Sequence, residues 1–153
     1  MRIEDLGRVR FPESMEEALS KINPNGHDEV NDANFAWSGN CTHCVPAYEL
    51  RKRGYDVSAL PYTDDPNGLS YDPFDAWKDP IIHKTPGSGR EAIERAMASY
   101  GDGARVEIDV GWATSDGSGF DGHVFVAEQR DGKTYFIDPQ NGDADVSWYF
   151  DHV

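Results

Sequence analysis

The sequence predicts an α+β domain in which N-terminal helices, one of them beginning at a cysteine, pack on a C-terminal antiparallel sheet. Three observations predict it. Apolar residues at helical spacing mark three separate segments of the first hundred positions, a two-residue alternation takes over at Ala104, and an Asp131-Gly132 pair joins two apolar runs near the end. One domain over residues 1–153 is expected, because a chain of this length buries about two thirds of its unfolded surface and needs no disulfide or metal to hold a core.

Taken in order, Ser14 and Glu17 form a capping box, after which Met15, Ala18, Leu19 and Ile22 share one helical face. Asn23-Pro24-Asn25-Gly26 stops that helix, and a polar stretch follows from His27 to Asn34. Phe35-Ala36-Trp37 and Ser38-Gly39-Asn40 then lead into Cys41 as a loop entering a new helix. From His43 to Arg53, Val45, Ala47, Tyr48 and Leu50 give an apolar stripe; Arg51, Lys52 and Arg53 match the dipole at its end, and Gly54 is the stop. Pro46 is comfortable only in a first turn, which allows a start as late as Cys44 or Val45. Either way Cys41 and Cys44 lie at or beside a helix N-terminus.

Residues 61–86, with Asp64-Asp65-Pro66-Asn67-Gly68 and the aromatics Tyr71, Phe74 and Trp77, read as a long loop carrying short elements. Ser88 is the expected cap of a helix marked by Ala92, Ile93, Ala96, Met97 and Tyr100 and ended by Gly101. Val106, Ile108, Val110 and Trp112 alternate with polar neighbours as in a half-buried strand. Ser115–Gly122 reads as a loop, and His123–Gln129 with Thr134–Asp138 as a hairpin.

The charge balance narrows the function. Against 14 basic residues stand 28 acidic ones, for a net charge of -14, which repels phosphate backbones and anionic lipid; nucleic acid and membrane are not expected partners. A basic protein partner stays open. The first twenty residues hold no apolar run, so no signal peptide or membrane span is expected there. Two cysteines, Cys41 and Cys44, are too few and too close for a disulfide framework.

Chemistry gathers around the hairpin. A two-residue turn pairs Arg130 with Lys133, Phe125 with Asp138 and His123 with Gln140. His123 and Asp138 then share a face, diagonal at about 7–8 Å between backbones. A thiol attacks a carbonyl carbon well only as thiolate, and an imidazolium or a helix N-terminus favours that form. Cys41 can receive both if it lies against the face bearing His123. Asp138 would then hold the imidazole tautomer, while backbone N–H groups at Cys41, with the Asn40 amide, would hold an oxyanion; Gln140 fits either auxiliary role, and Cys44 is the alternative nucleophile. Two other uses of Cys41-Thr42-His43-Cys44 fit less well. A zinc site lacks paired ligands among His27, His83, His123 and His152, and a redox pair should follow an apolar strand where Gly26–Asn34 is polar.

These residues resemble the papain-fold toxin domain of bacterial polymorphic toxins and phage-associated proteins, whose members are regarded as protein glutamine deamidases. The resemblance is carried by Asn40-Cys41, by Cys44 through Val57 and Ala59-Leu60-Pro61, by Gly122-His123-Val124-Phe125, and by Tyr135 through Gly142, with Glu17-Ala18-Leu19 and Asn23-Pro24-Asn25 ahead of them. It implies a papain-like fold with Cys41 as nucleophile, His123 as general base and acid, Asp138 as orienting acid, and no metal or organic cofactor. It also implies a glutamine-bearing target protein, a candidate immunity protein, and action in the cytoplasm of a producer or target cell or secretion within a larger toxin. Cleavage of peptide or isopeptide bonds, as by a papain-like protease or a deubiquitinase, is the nearest alternative; a non-enzymatic module of a phage or toxin particle is the other. Such domains carry another strand after the last motif, so the expectation at Val153 is a domain trimmed at its C-terminus.

Overall fold

The computed structural model describes residues 3–9, 13–27, 35–63 and 72–153. The polar stretch from 28 to 34 and the turn-rich 64–71 lie outside them. Four α-helices precede a three-stranded antiparallel sheet: α1 (Met15–Ile22), α2 (Phe35–Ser38), α3 (Cys41–Lys52) and α4 (Arg90–Tyr100), then β1 (Arg105–Ala113), β2 (Phe120–Arg130) and β3 (Lys133–Ile137) in spatial order β1-β2-β3. A 3-10 turn, Ser147–Asp151, ends the order.

The capping box on α1 is formed, with Glu17 N donating to Ser14 Oγ and Ser14 N to Glu17 Oε2, both at 3.1 Å. α3 begins at Cys41 rather than as late as Cys44 or Val45, and Pro46 lies inside it. The bond that Pro46 forfeits would have gone to Thr42 in the first turn, and His43 N and Cys44 N anchor that turn by both donating to Asn40 O (2.9 and 3.1 Å). α4 is preceded not by a serine cap but by Gly89 at φ +71°. A side chain at Gly89 would collide with Thr85 Oγ1, so both conformation and space call for glycine. Arg51 lies in the last turn of α3 as expected, and it is also buried in a clamp with Glu13 (2.6 and 2.9 Å), Asp56 and the Val57 carbonyl.

The hairpin takes the expected register, Arg130 opposite Lys133, because Asp131 and Gly132 both adopt positive φ (50° and 75°). Its ladder stops at Val126 opposite Ile137, so the predicted pairs Phe125–Asp138 and His123–Gln140 are not made. β2 starts at Phe120 and not His123, and its first half pairs only with β1, Val110 facing His123. β2 thus runs on past the end of β3.

Both faces of the sheet are covered, which is why β2 is buried from Val124 through Gln129. Val124, Val126 and Ile137 pack on Leu19, Ile22, Val45 and Tyr48 from α1 and α3. Phe125, Ala127 and Phe136 pack with Ile108 and Val110 against Met97 of α4 and against Val146, Tyr149 and Phe150. Full burial of a side chain such as Phe125 or Phe136 contributes about 1.5–3 kcal/mol.

Candidate active site

The open half of β2 and the start of α3 meet at one end of the sheet. His123 projects from the face opposite the body of α3, and the Cys41 thiol lies close enough to the ring to help raise its pKa. Cys41 is partly exposed and rests on the helical side of the core. It opens α3, where the first backbone N–H groups have no intrahelical acceptor and the positive end of the helix dipole favours an anion.

The other side of the imidazole is bound to Asp138, Nε2 lying 2.8 Å from Oδ2. Nε2 is therefore the nitrogen turned to the carboxylate, and Nδ1 is the nitrogen turned away from it. Register alone would have set Asp138 diagonal to His123 across a ladder. Instead Asp138 begins a tight turn just after β3 and folds back, its Oδ1 accepting from Gln140 N (2.9 Å) and Asn141 N (3.3 Å). Its Oδ2 also accepts from Asn141 Nδ2 (3.0 Å) and Tyr149 Oη (2.6 Å).

The electrostatics follow from that arrangement. Burial opposes the charged imidazole, but the Asp138 hydrogen bond and charge, aided by Cys41, outweigh it and bring His123 to about 9. Burial likewise pushes the fully buried Asp138 upward, and its bonds to His123, Tyr149 and the Asn141 backbone overcome this and hold it below the usual carboxylate value. Rings of Trp112, Phe125 and Tyr149 stand 5.7–6.4 Å from the imidazole.

Of the remaining sequence-predicted residues, Asn40 does not offer its side chain to an oxyanion. It is fully buried, and its Nδ2 donates to Asn23 Oδ1 and Leu60 O, both at 3.0 Å. Its Oδ1 accepts from Asn23 Nδ2 (3.3 Å) and from Cys44 Sγ (3.4 Å). Cys44 is fully buried, and desolvation, then the negative charges of Asp138 and Cys41, pushes its thiol pKa far up. Gln140 contributes backbone: its N–H caps Asp138 and its C=O accepts from Asn23 Nδ2 at 3.0 Å, while its own Oε1 is buried without a partner.

Three residues were not found by sequence reasoning. Asn141 follows Asp138-Pro139 in an Asx-type turn, a signal that was there to be read. Tyr149 sits in a Trp-Tyr-Phe run with no period. Asn23, taken as a helix stop, joins the end of α1 to Trp37 O, Asn40 and Gln140 O. A Cβ at Gly26 would collide with the Asn23 amide, so glycine lets the chain pass over it. Asn23→Ala should cost about 2–3 kcal/mol in urea unfolding with an unchanged slope, since one hydrogen of Asn40 Nδ2 and the Gln140 carbonyl would lose their partner.

Among the described residues no helix is long and apolar enough to cross a membrane, and no group of three or more His, Cys, Asp or Glu side chains is placed to hold a metal ion. The family model described as papain fold toxin 1, glutamine deamidase, matches residues 39–143, a span that takes in Cys41, His123 and Asp138. No curated protein and no solved structure matches the chain.

Proposed function

The chain belongs to the papain-fold toxin glutamine deamidases, and from that premise we propose that Cys41, His123 and Asp138 hydrolyse the side-chain amide of a glutamine in a target protein. The observation that carries this reading is the imidazole of His123 held between a carboxylate at 2.8 Å and a thiol at a helix start. With the thiol proton on Nδ1, the Cys41 thiolate attacks the amide carbon. Backbone N–H groups at the head of α3 stabilise the resulting oxyanion. His123 returns the proton to the amide nitrogen as the C–N bond breaks, and ammonia leaves a thioester. The imidazole then takes a proton from water, which attacks the thioester carbon; the C–S bond breaks, glutamate is released and the thiol is restored.

Asp138 keeps the ring in the tautomer that presents Nδ1 and stabilises the imidazolium at each proton transfer. No step calls on a metal or organic cofactor. The substrate is a protein, and the net charge of -14 steers basic surfaces toward it, whether those of the substrate or of an immunity protein that covers the site. The site of action in this reading is the cytoplasm of a producer or target cell, or the chain is secreted as part of a larger toxin.

The test is mass spectrometry of a cell extract incubated with the protein and with Cys41→Ala. The unaltered chain should convert glutamine to glutamate at discrete positions with release of ammonia, and Cys41→Ala should lower conversion by about a thousandfold or more. Conversion that survives Cys41→Ala sinks the proposal. New peptide termini in place of new glutamates would assign the chain to peptide-bond cleavage instead.

A further inference from the structure

We propose that Tyr149, from the 3-10 turn Ser147–Asp151 beyond the span matched to the family, is a positioning residue of this site: its phenol locks the Asp138 carboxylate and shares the oxygen on which His123 leans. The inference rests on the reading of Cys41, His123 and Asp138 as one catalytic unit.

The geometry is specific. Tyr149 Oη donates to Asp138 Oδ2 at 2.6 Å, shorter than the 2.8 Å between that oxygen and His123 Nε2. Asn141 Nδ2 bridges the same two groups, 3.0 Å from Oδ2 and 3.2 Å from the phenol oxygen. Oδ1 is meanwhile fixed by the backbone of its own turn. A carboxylate gripped at both oxygens cannot rotate about χ2, so the direction in which it receives the imidazole is set before substrate arrives. Tyr149 is itself held in place. Val146 N bonds Phe136 O at 2.8 Å, Phe150 is buried against Phe125 and Phe136, and the Tyr149 ring meets the imidazole edge-on at 5.7 Å.

The phenol also tempers the carboxylate. Its hydrogen presents positive charge to the oxygen that attracts the imidazolium, so it competes with His123 for that charge. The groups facing His123 are Asp138 from the turn, Cys41 from α3 and Tyr149 from the 3-10 segment; β1 presents Val110 and Trp112, and Asp121 stands two residues earlier on the same face of β2. Removing the phenol leaves Asp138 to act on the imidazolium alone, so the His123 midpoint should rise.

The experiment is an NMR titration of the His123 ring protons in the full chain and in Tyr149→Phe, which keeps the ring and its packing. The expected result is an upward shift of several tenths of a pH unit, with kcat lowered about tenfold and KM unchanged. A Tyr149→Phe protein that melts like the parent and titrates like it overturns the proposal. If the variant does not fold, the unaltered chain still decides. The Tyr149 hydroxyl proton should be slow to exchange and should shift in step with the His123 titration, and a fast-exchanging or unresponsive proton overturns the proposal. The measurement needs no substrate. Failure of the deamidation test would therefore leave this linkage standing, and failure of the linkage would leave deamidation standing.

Discussion

Asp138→Asn is expected to lower turnover by about 10³–10⁴-fold, the scale found when the orienting acid of a triad becomes an amide. Asp138 accepts at both oxygens and donates at neither. An asparagine there must turn its NH₂ either toward the N–H groups of Gln140 and Asn141 or toward His123, Tyr149 and the Asn141 side chain. Each choice sets donor against donor. The lost charge has a second effect: with the largest of the contributions that oppose burial of the ring removed, His123 should titrate well below about 9, which weakens the imidazolium beside Cys41 at neutral pH. NMR titration of His123 and single-turnover kinetics check the two effects, and an Asp138→Asn protein with parental rates would remove Asp138 from the mechanism.

The same pair makes stability depend on pH from both sides. The Asp138 pKa is depressed in the folded state, so its contribution is present above the ordinary carboxylate value of 3.8 and lost as pH falls through the lower, folded one. That of His123 is raised, so its contribution is complete below 6.5 and lost as pH rises through about 9. Asp138→Asn should flatten both limbs.

Much of this was legible in the residues. Asp131-Gly132 announced its turn because both positions must take positive φ, and that turn fixed which residues of β2 and β3 oppose one another. Ser14 and Glu17 declared the start of α1, and the cysteine at the head of α3 was read as such. What parity could not say is which layer covers which face. β2 is apolar on both sides, so the body of α3 was free to pack on Val124 and Val126 instead of the side bearing His123, and Cys41 reaches the ring around the end of the sheet.

Nor could periodicity locate residues that act through side-chain hydrogen bonds. Asn23 and Tyr149 act across 117 and 11 positions of sequence, through one amide and one hydroxyl, and neither leaves a repeat. Pro46 carries a penalty in a helix interior, and the anchoring of the first turn by the Asn40 carbonyl, a backbone contact, leaves no mark in the residue types. An asparagine beside a cysteine suits an oxyanion by type alone, but Asn23 and Leu60 O take both hydrogens of the Asn40 amide, and neither contact leaves a local pattern.

The two thiols should differ in reactivity by about a hundredfold or more toward iodoacetamide at neutral pH. Cys41 is partly exposed at a helix N-terminus beside an imidazole charged up to about pH 9, so the reagent can reach its sulfur and the developing sulfur anion has a cation next to it. Cys44, one turn along the same helix, is fully buried, donates to Asn40 Oδ1, and is pushed far toward the protonated form by burial and by the neighbouring anions. Peptide mapping of briefly labelled protein should find the label on Cys41. His123→Ala should return Cys41 to the rate of an ordinary thiol without exposing Cys44. Cys44 should react only through global opening, so that its labelling rate in increasing urea tracks the unfolding equilibrium while that of Cys41 does not. Equal labelling of the two cysteines in the native protein, or a Cys41 rate indifferent to His123, would show that the thiol and the imidazole do not form the pair on which the chemistry depends.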